Sequence, residues 1–222
     1  MKTRWQTIAI WFVCMAAGYG IIYAGEMTGV VDTFIENMLG INIILAVSLN
    51  LIVGFSGQFS LGHAGFMAIG AYATGIMTQT ESTFAGLIFS MIIGIVITIV
   101  IALIVGIPTL RLKGDYLAIA TMGAAEIIRL TANNLKITNG PAGLYNIPQL
   151  ATWPLVYIMM CLTIIIVANF VHSKTGRAIR AVRNDELAAT AMGINATKYK
   201  LMAFVMGASL AAVGGSLYAS YL

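Results

Sequence analysis

The chain has 222 residues, of which 59% are hydrophobic and 9% charged, with a formal net charge of +4 at pH 7. An average soluble protein is about 25% charged, so 20 Asp, Glu, Lys and Arg side chains leave a water-soluble surface of this size uncovered, and lipid is the solvent that fits. The positive balance needs no nucleic acid, because basic residues gathered at one membrane face act as topology signals.

Apolar runs of spanning length support this. Ala85–Ile107, Trp153–Val171 and Leu201–Leu222 are uncharged over 23, 19 and 22 residues, against the roughly 17–20 that cross the hydrocarbon core. The reading is an all-α polytopic integral membrane protein, a single transmembrane domain over residues 1–222. Its predicted segments are Ile8–Ala24, Met38–Phe55, Leu61–Met77, Ala85–Ile107, Tyr116–Leu130, Trp153–Val171 and Leu201–Leu222. The first follows Lys2 and Arg4, is longer than a signal-peptide core and lacks an unambiguous small-residue cleavage site, which makes it a retained helix. Leu61–Met77 is rich in Gly and Ala, and Tyr116–Leu130 is short and holds Glu126 and Arg129, so each is either a full span or a re-entrant helix. The chain stops at Leu222 within an apolar run, which is expected of a truncated sequence.

Charge sets the orientation. Lys2, Arg4, Arg111, Lys113, Lys174, Arg177, Arg180, Arg183, Lys198 and Lys200 fall in one set of loops, while Glu26, Asp32, Glu36, Glu81 and Lys136 fall in the other. Basic loops stay inside, so the amino terminus is cytoplasmic. Cys14 and Cys161 lie within predicted spans and His63 and His172 stand apart, so neither a disulfide framework nor a metal cluster nor any other cofactor is expected.

The cytoplasmic loop 172–200 is long, and its middle, Asp185–Met192, reads Asp-Glu-Leu-Ala-Ala-Thr-Ala-Met before Gly193. This is a short helix closed by a glycine. Leu187, Ala188, Ala191 and Met192 give it a small apolar face, suited either to the lipid interface or to a cytoplasmic partner.

Three blocks of residues carry a family resemblance. They are Gly54-Phe-Ser-Gly-Gln-Phe-Ser-Leu-Gly-His-Ala-Gly-Phe-Met-Ala-Ile-Gly-Ala-Tyr72, Leu110-Arg-Leu-Lys-Gly-Asp-Tyr-Leu-Ala-Ile-Ala-Thr121 and the stretch from Thr175 to Asn195. In that order they resemble the permease subunits of branched-chain amino acid ABC importers, the LivM type more than its LivH sister. The resemblance implies a bacterial or archaeal cytoplasmic (inner) membrane, a second permease subunit of the LivH type, two cytoplasmic ABC ATPases and a periplasmic or extracellular substrate-binding protein. Leu187-Ala-Ala-x-x-x-Gly193 is similar to the importer coupling motif, which implies ATPase coupling by Asp185, Glu186, Leu187, Ala188, Ala189, Ala191, Met192 and Gly193. Leu187 stands where the motif usually has glutamate, with Glu186 one residue earlier, so the role of that glutamate is not carried over.

The chain itself has no G-x-x-x-x-G-K-[ST] loop to cradle phosphate, no nucleophile elbow and no HExxH helix. It reads as a transport subunit that is not itself an enzyme, energised by a partner. The cargo is a branched-chain or related small aliphatic amino acid, with urea or a short amide as the alternative and a self-contained channel or secondary carrier as the competing class. Ser56, Gln58, Ser60 and His63, among the glycines of 54–65, are the densest uncharged polar group. They are expected either to line the substrate pathway or to hold a helix break together. Small residues four apart, Ala64 and Ala68, Ala71 and Gly75, and Gly207, Ala211 and Gly215, predict close helix packing. Glu126 and Arg129, three apart, can pair, as a salt bridge near a membrane end or as part of a channel wall. Thr138–Gly143 reads as an outward turn.

Overall fold

A computed structural model describes residues 33–110, 112 and 114–221, together with 15, 18–20, 22 and 25. The predicted helix Ile8–Ala24 lies outside the described residues except at 15, 18–20 and 22, as do Lys2, Arg4, Cys14, Glu26, Asp32, Arg111, Lys113 and Leu222. The described elements are helices: α1 Thr33–Asn50, α2 His63–Thr80, α3 Phe84–Thr109, α4 Asp115–Asn134, α5 Trp153–His172, α6 Lys174–Asn184, α7 Glu186–Ala191 and α8 Ala196–Tyr221. A π-helical turn, Leu51–Phe55, continues α1, and a 3-10 turn, Gly140–Ala142, lies between α4 and α5. Four helices among the described residues are long and apolar enough to cross a membrane: Phe34–Phe55, Phe84–Thr109, Trp153–His172 and Ala196–Tyr221.

The six later predicted segments are all helical, with ends that polar residues had hidden. α1 begins at Thr33, five residues ahead of the predicted start, so Glu36 is not in a loop; it lies buried in the first helical turn, where a carboxylate suits the helix dipole. Asn195 accepts a hydrogen bond from the Lys198 amide at 3.1 Å and caps α8, which brings Lys198 and Lys200 into the helix. α3 ends one residue after Pro108, and α5 has a proline in its first turn, where its missing N–H costs nothing.

Neighbour contacts give the directions. Ile41 and Val156 share one cluster, and Leu51, Val167 and Val171 another, so α1 and α5 run parallel. α2, α4 and α8 run the opposite way: Gln58 meets Lys200 and Gly62 meets Thr121 near one end, while Tyr72 and Tyr218 line one hollow toward the other. α2 and α4 are therefore continuous helices that run alongside α8, and neither is among the four helices long and apolar enough to cross a membrane.

α8 forms the centre. Ala203, Ala208, Ala211, Ala212 and Leu217 are fully buried, and Phe204 meets Phe66 edge to face at 5.4 Å. A Cβ on Gly215 would overlap the Met67 carbonyl oxygen and one on Gly70 the Ala212 carbonyl oxygen, so α2 and α8 touch backbone to backbone. Gly207, whose added Cβ would lie 2.5 Å from the Ile52 side chain, gives the π turn room to pack against α8. Thr138–Gly143 is a turn, with Asn139, Gly140 and Gly143 at positive φ.

Candidate functional site

Between the π turn and α2 the chain is non-helical, and burial alternates along it. Ser56, Gln58, Ser60 and Gly62 are buried, whereas Gly57, Phe59 and Leu61 are exposed. A π turn adds a residue to the helical repeat and commonly marks functional sites; here it redirects α1 into the break. Gly57 makes the bend at φ +69°, and a Cβ there would lie 2.9 Å from the Arg183 side chain.

Gln58 is 2% exposed. Its Nε2 donates to the Lys200 carbonyl at 2.9 Å and to the Ser56 hydroxyl. The Leu61 amide donates to Thr121 Oγ1 at 3.1 Å. At His63, the Ser48 hydroxyl proton is committed to the Leu45 carbonyl at 2.8 Å, so the 2.9 Å contact between Ser48 Oγ and His63 Nε2 has the ring nitrogen as donor. The imidazole thus ties α2 to α1. Gln58 Oε1, Ser60 Oγ and His63 Nδ1 have no hydrogen-bond partner among the described residues. Of the four predicted residues, Ser56 and Gln58 bond to each other while His63 bonds to Ser48 instead, and the side chains of Ser56, Gln58 and Ser60 are buried in the protein.

The loop 172–200 holds α7, as expected, and α6, which the sequence reading missed. Ser173 caps α6 by accepting from the Gly176 amide at 3.2 Å. Arg177 and Arg180 donate to the His172 and Val171 carbonyls, each at 3.0 Å, satisfying the last turn of α5. Ser173, Gly176 and a basic face were the available signal for this helix; its polar composition concealed it beside the spans.

Asp185 caps α7, accepting from the Ala188 amide at 3.0 Å. Gly193, at φ +85°, donates to the Thr190 carbonyl at 2.9 Å, and Ile194 donates to the Ala189 carbonyl at 3.0 Å. This is the paired ending that satisfies the orphan carbonyls of a helix terminus. Leu187 and Met192 are 81% and 82% exposed, and Ala188, Ala191 and Gly193 are exposed beside them. Ala189 differs from the rest of the predicted coupling set: it is buried against Val182, Ile194 and Ala196 and anchors the helix.

Glu186 pairs with Lys200 Nζ at 2.8 Å. Lys200 had been read only as a topology charge. Its side chain holds α7 and its carbonyl holds Gln58, so one residue joins the exposed helix to the chain break. Fourteen residues separate Glu186 from Lys200, so no helical periodicity reveals the pair.

On α4, Arg129 donates to both oxygens of Glu126, at 2.9 and 2.5 Å. The pair forms as expected but is not near a helix end: Glu126 is the twelfth residue of a 20-residue helix.

Helices that alternate in direction around an alanine- and glycine-rich centre, with apolar outer faces, define a multi-pass membrane protein. Residues 33–222 match the family described as "Branched-chain amino acid transport system / permease component", and the chain belongs to that family. The high-affinity branched-chain amino acid transport system permease protein LivM of Salmonella typhimurium is 32% identical, the match covering 84% of this chain and 52% of that protein. The protein of the same description from Escherichia coli is also 32% identical, over 86% and 52%. A probable LivM of Methanocaldococcus jannaschii is 25% identical, over 82% and 65%. The chain spans about half the length of the two bacterial relatives. No solved structure matches it.

Proposed function

We propose that the chain is the membrane-spanning permease subunit of an ATP-driven importer of branched-chain or related small aliphatic amino acids. It works with a second permease subunit, cytoplasmic ATPases and a substrate-binding protein, in a cytoplasmic membrane and with its amino terminus inside. The observation that carries the reading is the family match over residues 33–222, supported by relatives whose descriptions specify branched-chain amino acid transport. α2 and α4 complete the crossings begun by the more apolar helices. α7 docks the ATPase through Leu187, Ala188, Ala191 and Met192, with Asp185, Ala189 and Gly193 holding its shape. Glu186 passes its displacement to Lys200. Ser56, Gln58, Ser60 and His63 shape the inner mouth of the pathway.

One reconstituted preparation tests this. The complex should take up labelled leucine with ATP and not labelled urea, and Leu187→Asp with Met192→Asp should abolish co-purification of the ATPase while membrane insertion persists. Uptake of urea alone, uptake independent of ATP, or full ATPase recovery with the double variant would each overturn the corresponding part.

A further inference from the structure

We propose that Glu126 and Arg129 form a station for the charged head of a zwitterionic amino acid on the wall of the transport pathway; this rests on the importer reading. The two side chains are 51% and 63% exposed. Their depth follows from the packing of α4 on α2. Gly62 lies under the Thr121 carbonyl, and Gly65 lies against Ala125 and Ile128. Ile128, between the two charged residues, packs on the cluster of Ile69, Phe204, Ala208 and Ala211. That cluster adjoins the close approach of Gly70 to Ala212, well inside both helices. The pair therefore stands near mid-depth of the bundle, about 17–21 Å along an α4 that is about 30 Å long.

A charge facing lipid at that depth costs at least ~2.5 kcal/mol, and such residues face a watery cavity or protein instead. The neighbouring α3 shows what a lipid-suited face looks like, with Ile92, Val96, Val100 and Leu103 all exposed. On α4 the pair interrupts a face that is otherwise apolar, with Ile119, Met122, Ile127 and Leu130 exposed around it, and a Cβ added at the neighbouring Gly123 meets nothing within 4 Å.

Charge complementarity selects the occupant. An amino-acid head carries a carboxylate and an ammonium on one carbon, and Arg129 and Glu126 offer the matching charges in adjacent positions. Arginine has five N–H donors, of which the pair engages two, so the guanidinium keeps a free edge for a carboxylate. The mutual ion pair keeps both groups satisfied when no passenger is bound.

The test uses the assembled complex, in detergent for labelling and reconstituted into vesicles for uptake, with Cys14 and Cys161 replaced by serine. Met122→Cys and Gly123→Cys should react with a cationic methanethiosulfonate, leucine should slow that reaction several-fold, and Val100→Cys should stay unreactive. Glu126→Gln and Arg129→Gln should each raise the KM for leucine uptake at least tenfold, with normal recovery of the complex. If both cysteines on α4 are inert, the face is covered by a partner helix and the proposal fails. It fails equally if they react without leucine protection while the KM of both variants stays unchanged. Absence of leucine uptake by the unsubstituted complex marks a wrong importer reading and removes the proposal with it.

Discussion

Gln58 shows how a single amide serves two neighbours, since its Nε2 holds both Ser56 and the carbonyl of Lys200. Gln58→Leu fills similar space but deletes both bonds and leaves the buried Ser56 hydroxyl without that donor, at about 1–3 kcal/mol, while the Lys200 carbonyl keeps its partner within α8. The expected outcome is a lower melting temperature together with reduced uptake per folded complex, because the tie between the chain break and α8 is cut. Melting and uptake measured on one preparation decide it; unchanged uptake per folded complex would make Gln58 a clamp with no part in transport. The sequence made this group visible as a cluster of polar residues among glycines. The inward turn of the side chains was not visible, because a non-helical break has no periodicity that sets which residues are buried, and the tertiary partners, Lys200 and Thr121, set it.

Among the helices, legibility followed apolarity. α3 and α5 could be drawn nearly to the residue, because lipid demands long uncharged runs and prolines mark their ends. α4 was cut short on the sequence at Leu130, since Thr131, Asn133 and Asn134 are poor helix formers that tertiary packing still holds helical. α6 was missed for another reason: its charged, polar composition does not stand out beside the apolar spans. The small-residue spacing on α8 was legible, and the partner backbone it meets was not. At that crossing, Gly215→Leu forces a side chain into the Met67 carbonyl, so α2 and α8 must separate. Overpacking of a tight core costs typically 1–3 kcal/mol and more when backbone blocks relief. Gly215→Leu is expected to abolish recovery of monodisperse protein in detergent, whereas Gly123→Ala, at a site open to space, should be recovered at the normal level. Gel filtration of the two variants checks this.

For the molecule as a whole, the alternating helix directions sort the connecting loops to two ends of the bundle. Glu81 and Asn139 lie at one end of the bundle, with Gln79 bonded to the Tyr145 carbonyl there at 2.6 Å, and Lys174 lies at the other beside the end of α5. Single cysteines at Glu81 and Asn139 should react with an impermeant thiol reagent applied outside intact cells, and one at Lys174 should react only after lysis. Reversal at any of the three would redraw the spans. The close contact of α2 with α8 then has a mechanical consequence. Lys200 stands twelve residues from Ala212, about 18 Å along a rigid helix, so the backbone contact is a fulcrum and the first turn of α8 is the end of a lever. A pivot of about 10° there, small beside known domain rotations, would sweep Lys200 by about 3 Å, enough to break a hydrogen bond. Exchanging the fulcrum's glycines for larger residues would stiffen or dislodge that lever, whereas changes beyond Gly215 toward Tyr221 would leave its long arm untouched.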